Sequence, residues 1–438
     1  MLKKMVMTFL AASARRVIMR EKPVVVAMTG SFGKSSVKEA VATALGASEP
    51  GSRVRSSIKN YNNEFGLPFT VLGVQSPGRD PFKWLIVFLR AAWMGWGFGR
   101  ARVHTFVLEM GADRKGDLRW LVRIAPPHVA IVTAVGTAHS EYFGSIEEIA
   151  VEKATIVRAL APDGFAVLNN DDARVTAMRR ETKARTAYFG FSEGSDAQIL
   201  NTASAAVKDD EGHMTPVGID IAVSVEGRVH ELRLHGTIGL PQASAVAAAL
   251  LVARHFDITP ETAIGRLERD YHGIAGRTRI IAGIKRTTII DDSYNAASPQ
   301  TVVSALRDLA ALPLTGVQRR IAVLGEMREL GGYSEEAHRD VGRAVLENGV
   351  DFLVACGTLA RGIAQAATAA GMDQANIRLF ETSAEAGRFV QDLIRPGDVI
   401  LVKGAQGMRA ERIVKEIMAE PTEAPFLLVR QTEDWIGK

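Results

Sequence analysis

The stretch VVVAMTGSFGKSSVKEAVATAL, residues 24–45, constrains the fold more than any other part of the chain. A β-rich apolar run gives way to two glycines, a lysine and two serines, and then to a helical pattern. Strand, glycine turn and helix in that order predict a phosphate cradle at the edge of a parallel sheet. Gly30 and Gly33, with Ser31 between them, let backbone N–H groups close around phosphate oxygens. Lys34 supplies a cation toward the outer phosphates, Ser35 offers a hydroxyl to Mg²⁺, and Ser36 stands in the helix's first turn, at its positive dipole end. The usual spacing places a glycine where Met28 stands, so this is the shorter G-x-x-G-K-S form. The bland alternative is a tight strand–helix turn with an exposed lysine.

The rest of the chain supports an α/β class. Its 438 residues exceed one compact core and suit two or three domains. From Pro23 onward, short β-rich runs alternate with helical stretches, with strands expected at 24–28, 104–110 and 128–135. From about Ala187 to Leu240, alternating runs such as GIDIAVSV and HELRLHG predict antiparallel hairpins. The pattern resets after Gly276–Gly283, and a second α/β series follows: TTIIDD, RRIAVLG, DFLVACG, NIRLFET and DVILVKG. We therefore expect an N-terminal amphipathic segment (1–22), a central ATP-binding domain (23–280) and a C-terminal Rossmann-like domain (281–438). Hinge motion is expected near 277–285.

A net charge of +4 favours an anionic ligand such as a nucleotide but is too weak to argue for nucleic acid, and no basic and aromatic stripe changes that. The single cysteine, Cys356, rules out an internal disulfide and reads as a buried strand residue. Two segments raise the question of membranes. Residues 1–23 are cationic and apolar, but Arg15, Arg16 and Arg20 interrupt the run, which reads as an amphipathic helix rather than a cleaved export signal. Residues 81–100, PFKWLIVFLRAAWMGWGFGR, carry Lys83 and Arg90 and fall short of the roughly 20 apolar residues of a span. Their aromatics suit either a headgroup layer or packing against the protein or a second subunit. A cytoplasmic protein is expected, with peripheral membrane contact through 81–100 as one of these readings.

In a parallel sheet the ligand lies beyond the carboxyl ends of the strands. Glu109 closes one expected strand, and the loop carrying His139 follows another, so a carboxylate and an imidazole are expected beside the phosphate loop. Ser145 and Glu148 have capping-box spacing for a helix running to about Leu160. Lys153 falls on that helix's apolar stripe, where burial lowers an amine's pKa. A neutral amine reacts with CO₂ to give a carbamate, an anion that binds metal. The bland alternatives are a surface carboxylate, a backbone-satisfied histidine and a lysine that snorkels or pairs with an acid.

Nine segments, in order, are TGSFGKSS (29–36), KNYNNEFGLP (59–68), EMGADRKGD (109–117), VGTAHSEYFGS (135–145), EKATI (152–156), AGRTRI (275–280), DDSYNAASP (291–299), VLGEMRELG (323–331) and KGAQGMRAERIV (403–414). Together they resemble the Mur ligases, in the branch that adds D-alanyl-D-alanine to a muramoyl-peptide. DDSYNAASP and GTAHSEYFG carry the branch assignment. The resemblance implies a central P-loop ATPase domain with a small antiparallel part and a Rossmann-like C-terminal domain. It implies ATP and Mg²⁺, a substrate carboxylate activated as an acyl phosphate, and attack by an amine. By position, it implies Lys34 on the outer phosphates, Ser35 and Glu109 on one Mg²⁺, and His139 with carbamylated Lys153 on a second. Asn63 is implied near the reacting centre. Arg277 and Asp292 are implied as nucleotide contacts with Tyr294 and Asn295 beside the adenosine, and Lys403 in a substrate-facing loop.

Three departures from the family pattern stand out. Residues 1–22 are too short for the family's UDP-sugar-gripping domain, which is expected to be absent. The aromatic stretch 81–100 is extra, and Gly239-Leu240-Pro241-Gln242 replaces a segment that usually carries histidine and asparagine. Two rival readings remain: a ligase that joins another amino acid or peptide to a different acceptor, a lipid-linked one among the options, and a non-catalytic ATP-binding scaffold. The joint presence of Lys34, Glu109, His139 and Lys153 argues against the scaffold.

Overall fold

The computed structural model describes residues 2–57, 61–78, 80–137, 140–432 and 435. The first sheet comprises β1 (Val24–Thr29), β2 (Val54–Ser56), β3 (Thr105–Glu109), β4 (Val129–Val132), β5 (Phe165–Asn169), β6 (Arg185–Gly190), β7 (Ala197–Lys208), β8 (Met214–Val225) and β9 (Arg228–His235). Its spatial order is β2-β3-β1-β4-β5-β6-β7-β8-β9. Strands β2 to β7 pair in parallel, and β7-β8-β9 form an antiparallel meander. Every residue of β3 (TFVLE) and β4 (VAIV) is buried because helices cover both sides of the parallel part. After β1 the chain builds β2 and β3 on one flank, then crosses to β4 on the other. That reversal opens a crevice at the carboxyl ends of β1, β3 and β4.

The second sheet comprises β10 (Arg279–Gly283), β11 (Thr287–Asp292), β12 (Arg320–Gly325), β13 (Phe352–Cys356), β14 (Ile377–Phe380) and β15 (Val399–Lys403), in the order β10-β11-β15-β12-β13-β14. Only β10 is antiparallel. The last strand in the chain, β15, inserts between β11 and β12, so Lys403 lies in register with Asp292 and Leu324. Cys356 is buried at the end of β13, as its apolar context predicts.

The first half also contains the helices α1 (Leu2–Glu21), α2 (Lys34–Ala44), α3 (Gly66–Leu72) and α4 (Pro81–Gly95). Behind the phosphate loop, α2 packs on the alanine-rich helix Leu240–His255, which has 11 of its 16 residues buried. Six of those eleven are alanines, whose small side chains let neighbouring elements pack closely. Helix α1 buries Leu10, Ala14, Val17 and Ile18 in the same core as Val87, Ala91 and Met94 of α4. Asp80 caps α4 by accepting from the N–H groups of Phe82 and Lys83. At the other end, Arg20 of α1 donates to the carbonyls of Met94 and Gly99, and the Glu21 carboxylate accepts from the Ala101 N–H. Among the described residues, no helix is long and apolar enough to cross a membrane.

Candidate active site

The phosphate loop leaves β1 by a route that requires glycine. Gly30 has φ 155°, and a Cβ there would lie 1.9 Å from Thr133 Oγ1, in the loop after β4. The Ser31 N–H donates to the Ala134 carbonyl at 2.8 Å, and Ser31 Oγ accepts from the Gly136 N–H at 2.9 Å. The loop is thus sewn to the neighbouring strand's exit before any ligand arrives. Lys34 Nζ donates to the Gly30 carbonyl at 2.7 Å, curling over the loop. Burial lowers the Lys34 pKa, and the nearby Glu109 carboxylate partly opposes this.

Glu109 ends β3 in register with Met28 of β1 and is almost fully buried. Its two oxygens are engaged: Oε2 accepts from Ser35 Oγ at 2.9 Å and Oε1 from Asn62 Nδ2 at 3.1 Å. A buried carboxylate 2.9 Å from a hydroxyl at the mouth of a phosphate loop is a hard-oxygen donor pair suited to Mg²⁺. Among the described residues there is no group of three or more His, Cys, Asp and Glu side chains that could hold a metal. An ion here would draw its other ligands from phosphate and water.

Of the two adjacent asparagines, the structure brings Asn62 to this site. Asn63 Oδ1 instead accepts from the N–H groups of Phe65 and Gly66, holding the turn into α3. The family resemblance implied Asn63 near the reacting centre. A loop has no periodicity to fix which of two neighbours points inward.

The helix Ile146–Arg158 carries Lys153 into the core as expected. Ser145 Oγ accepts from the Glu148 N–H, one arm of the anticipated capping box, but the Glu148 carboxylate pairs with Lys115 at 2.6 Å. The Glu152 carboxylate accepts from the N–H groups of Gly116 and Leu118. Burial, and then the charge of Lys34, push the Lys153 amine down to about 7. His139 lies outside the described residues.

The second sheet supplies the opposite wall. Asp292 and Lys403, at the adjacent ends of β11 and β15, form a buried ion pair at 2.6 Å, and Lys403 also donates to the Asn295 carbonyl. Lys403 therefore ends a strand rather than riding on a loop, and its charge is met locally by Asp292. The Arg277 guanidinium lies 4.5 Å from the Tyr294 ring centroid, and that of Arg430 lies 5.3 Å from it. Asp308 accepts from the Leu240 N–H at the start of the alanine-rich helix, and burial pushes its carboxyl up to about 7. In the departing segment, Gln242 Nε2 donates to Thr278 Oγ1, and its Oε1 accepts from the Tyr271 hydroxyl.

One cavity of about 790 Å³ draws on both walls, with Lys34, Ser35 and Glu109 on one side and Asp292, Tyr294 and Lys403 on the other. Gly33, Ser31, Ser36, Arg277 and Asn295 also line it. Sequence reasoning missed Asp113, Asp308, Arg328, Arg409 and Trp435, which line it too. Asp113 could have been noticed, since it follows the Glu109 strand end within the same motif. Trp435 carries no motif. The arrangement offers a polyphosphate cradle with a hard-metal pair on one wall and a charged, aromatic-backed surface on the other.

Comparison with known proteins agrees with this geometry. Residues 28–253 match the Mur ligase middle domain, and residues 276–406 match the Mur ligase glutamate ligase domain. A UDP-N-acetylmuramoyl-tripeptide–D-alanyl-D-alanine ligase of Bacillus subtilis (strain 168) is 27% identical over 404 residues, covering 91% of this chain and 76% of that protein. The protein of the same name from Escherichia coli (strain K12) is 29% identical over 406 residues, covering 91% of this chain and 77% of its own length. The crystal structure of the MurF ligase from Thermotoga maritima in complex with ADP superposes with a TM-score of 0.74 at 26% identity, covering 94% of this chain and 83% of that one. The middle-domain match alone spans more than half of the residues and contains the phosphate loop, Glu109 and Lys153, and the chain belongs to the Mur ligase family.

Proposed function

We propose that this protein is an ATP-dependent amide-bond ligase that adds D-alanyl-D-alanine to a muramoyl-peptide acceptor in peptidoglycan synthesis. The observation that carries the reading is the single cavity shared by the phosphate loop and the ends of β11 and β15. The terminal phosphoryl group of ATP passes to an acceptor carboxylate oxygen, and ADP leaves. The incoming amine attacks the acyl carbon, the C–O bond to phosphate breaks, and inorganic phosphate departs with that electron pair. The amine's surplus proton goes to solvent. An ionised acid lacks a leaving group, and the acyl phosphate supplies one. Lys34 would neutralise charge on the outer phosphates, and Arg277 with Tyr294 would flank the nucleotide at the junction. Ser35 and Glu109 would hold Mg²⁺, which lowers the charge barrier to phosphoryl transfer when bound. Lys153 as a carbamate, with His139, would hold a second ion; the half-neutral amine at Lys153 supports that modification. We place the enzyme in the cytoplasm, where ATP is available, and read 1–22, 23–280 and 281–438 as its segments.

The test is phosphate release from ATP, with product mass measured, in the presence of a muramoyl-tripeptide and D-alanyl-D-alanine and with each omitted. Release and a ligated product are expected only when both are present. Equal release with neither would overturn the ligase reading, and a product from another amine would reassign its substrate.

A further inference from the structure

Helix α4 is apolar on two opposite faces, and the protein covers only one of them. Val87, Ala91 and Met94 are buried against α1 and α3. Phe82, Leu85, Ile86, Leu89 and Trp93 recur at three- and four-residue steps on the other side, and Trp96 and Phe98 follow in the turn. All seven are between 52% and 78% exposed. Isolated exposed apolar residues are ordinary, but seven within 17 residues form a contiguous patch. Phe88 extends it onto α1 through a ring contact with Phe9 at 6.0 Å, and Met5 of α1 is exposed as well.

The basic character of the two segments that form this patch argues for an anionic partner. Residues 1–22 and 80–102 together carry ten lysines and arginines against two acids, Glu21 and Asp80, whereas the whole chain has a net charge of only +4. Lys83 and Arg90 lie on one flank of the exposed stripe, about 90° around the helix from its centre, where long side chains reach back past an apolar layer. A second protein copy bearing the same basic rim would meet it with like charge, whereas an anionic headgroup layer would not. At 15 residues α4 is about 22 Å long, too short to span a hydrocarbon core of about 30 Å. It is suited to lying in the plane of the interface, with two tryptophans at its C-terminal end. Arg20 and Glu21, which bind the backbone around that end, hold it in a fixed orientation.

We propose that the exposed face of α4, extended by α1, docks this protein on an anionic lipid bilayer. The test uses the full chain and phosphatidylcholine vesicles with and without phosphatidylglycerol, scored by co-sedimentation. Binding is expected only with phosphatidylglycerol and should weaken as salt rises. The variant Ile86→Asp/Leu89→Asp/Trp93→Asp should lose at least about tenfold in partitioning. Its circular dichroism and ATP-dependent phosphate release in solution should be unchanged, since none of these side chains lines the cavity. Absence of binding, or equal binding to neutral vesicles, would overturn the proposal. So would a concentration-dependent dimer that the same variant dissociates while vesicle binding is absent. Vesicle binding requires no turnover, so its failure leaves the ligase reading intact, and failure of the ligase assay leaves this one intact.

Discussion

At the scale of single residues, two buried titratable groups carry the clearest consequences. The Lys153 amine, held near pH 7 by burial and by Lys34, should be carbamylated by CO₂ if it serves as a ligand. Lys153→Ala should then lower kcat by about 100-fold or more, with partial rescue by formate or acetate. Undiminished activity would remove the carbamate from the mechanism. Asp308 makes a different prediction. Its carboxyl rises from 3.8 to about 7 on folding, so between those values the unfolded chain releases a proton that the folded chain keeps. Stability from this site therefore falls as pH climbs through that window and is flat above it. Asp308→Asn retains an acceptor for the Leu240 N–H and removes the penalty. Relative to the parent, its melting temperature should rise more at pH 8 than at pH 4, as differential scanning calorimetry would measure. A uniform shift would show that ionisation of Asp308 is not the cause.

At the scale of elements, what could be read from the sequence depended on how local the signal was. Strands β1, β3 and β4 and the meander β7-β8-β9 fall where alternation and apolar runs placed them, because burial on one or both faces is written into consecutive residues. The phosphate loop was legible for the same reason. The Asp292–Lys403 pair was not: its partners are 111 residues apart and meet only because β15 inserts beside β11. The approach of Arg409 and Arg430 to the Trp435 ring is likewise set by tertiary packing with no spacing rule behind it. The segment joining the two sheets has its own constraint. Gly276 has φ 69°, donates its N–H to Asp291, and would place a Cβ 2.9 Å from the Tyr294 backbone nitrogen. Gly276→Ala should therefore cost about 1–3 kcal/mol in urea denaturation and displace Tyr294, raising KM for ATP more than it lowers kcat. Wild-type stability and KM would show that the junction yields freely.

At the scale of the whole molecule, the cavity makes the two sheets interdependent. A nucleotide that touches both walls binds the folded chain and not the unfolded one, so ADP with Mg²⁺ should raise the apparent melting temperature of both halves together. At one hundred times its dissociation constant the gain is about 2.7 kcal/mol. Stabilisation confined to the half bearing Lys34, resolved by hydrogen exchange, would show that the second wall does not take part. The seat of α2 on the alanine-rich helix ties the phosphate loop to the core of the first sheet. Val37 and Val41 of α2 share one buried core with Val246 and Leu250 of that helix, so the helix that carries the phosphate loop rests on a packed layer. A closure that brings acceptor and amine together should therefore change distances between probes on α2 and probes near Asp292 and Lys403, while distances from α2 to the alanine-rich helix stay constant.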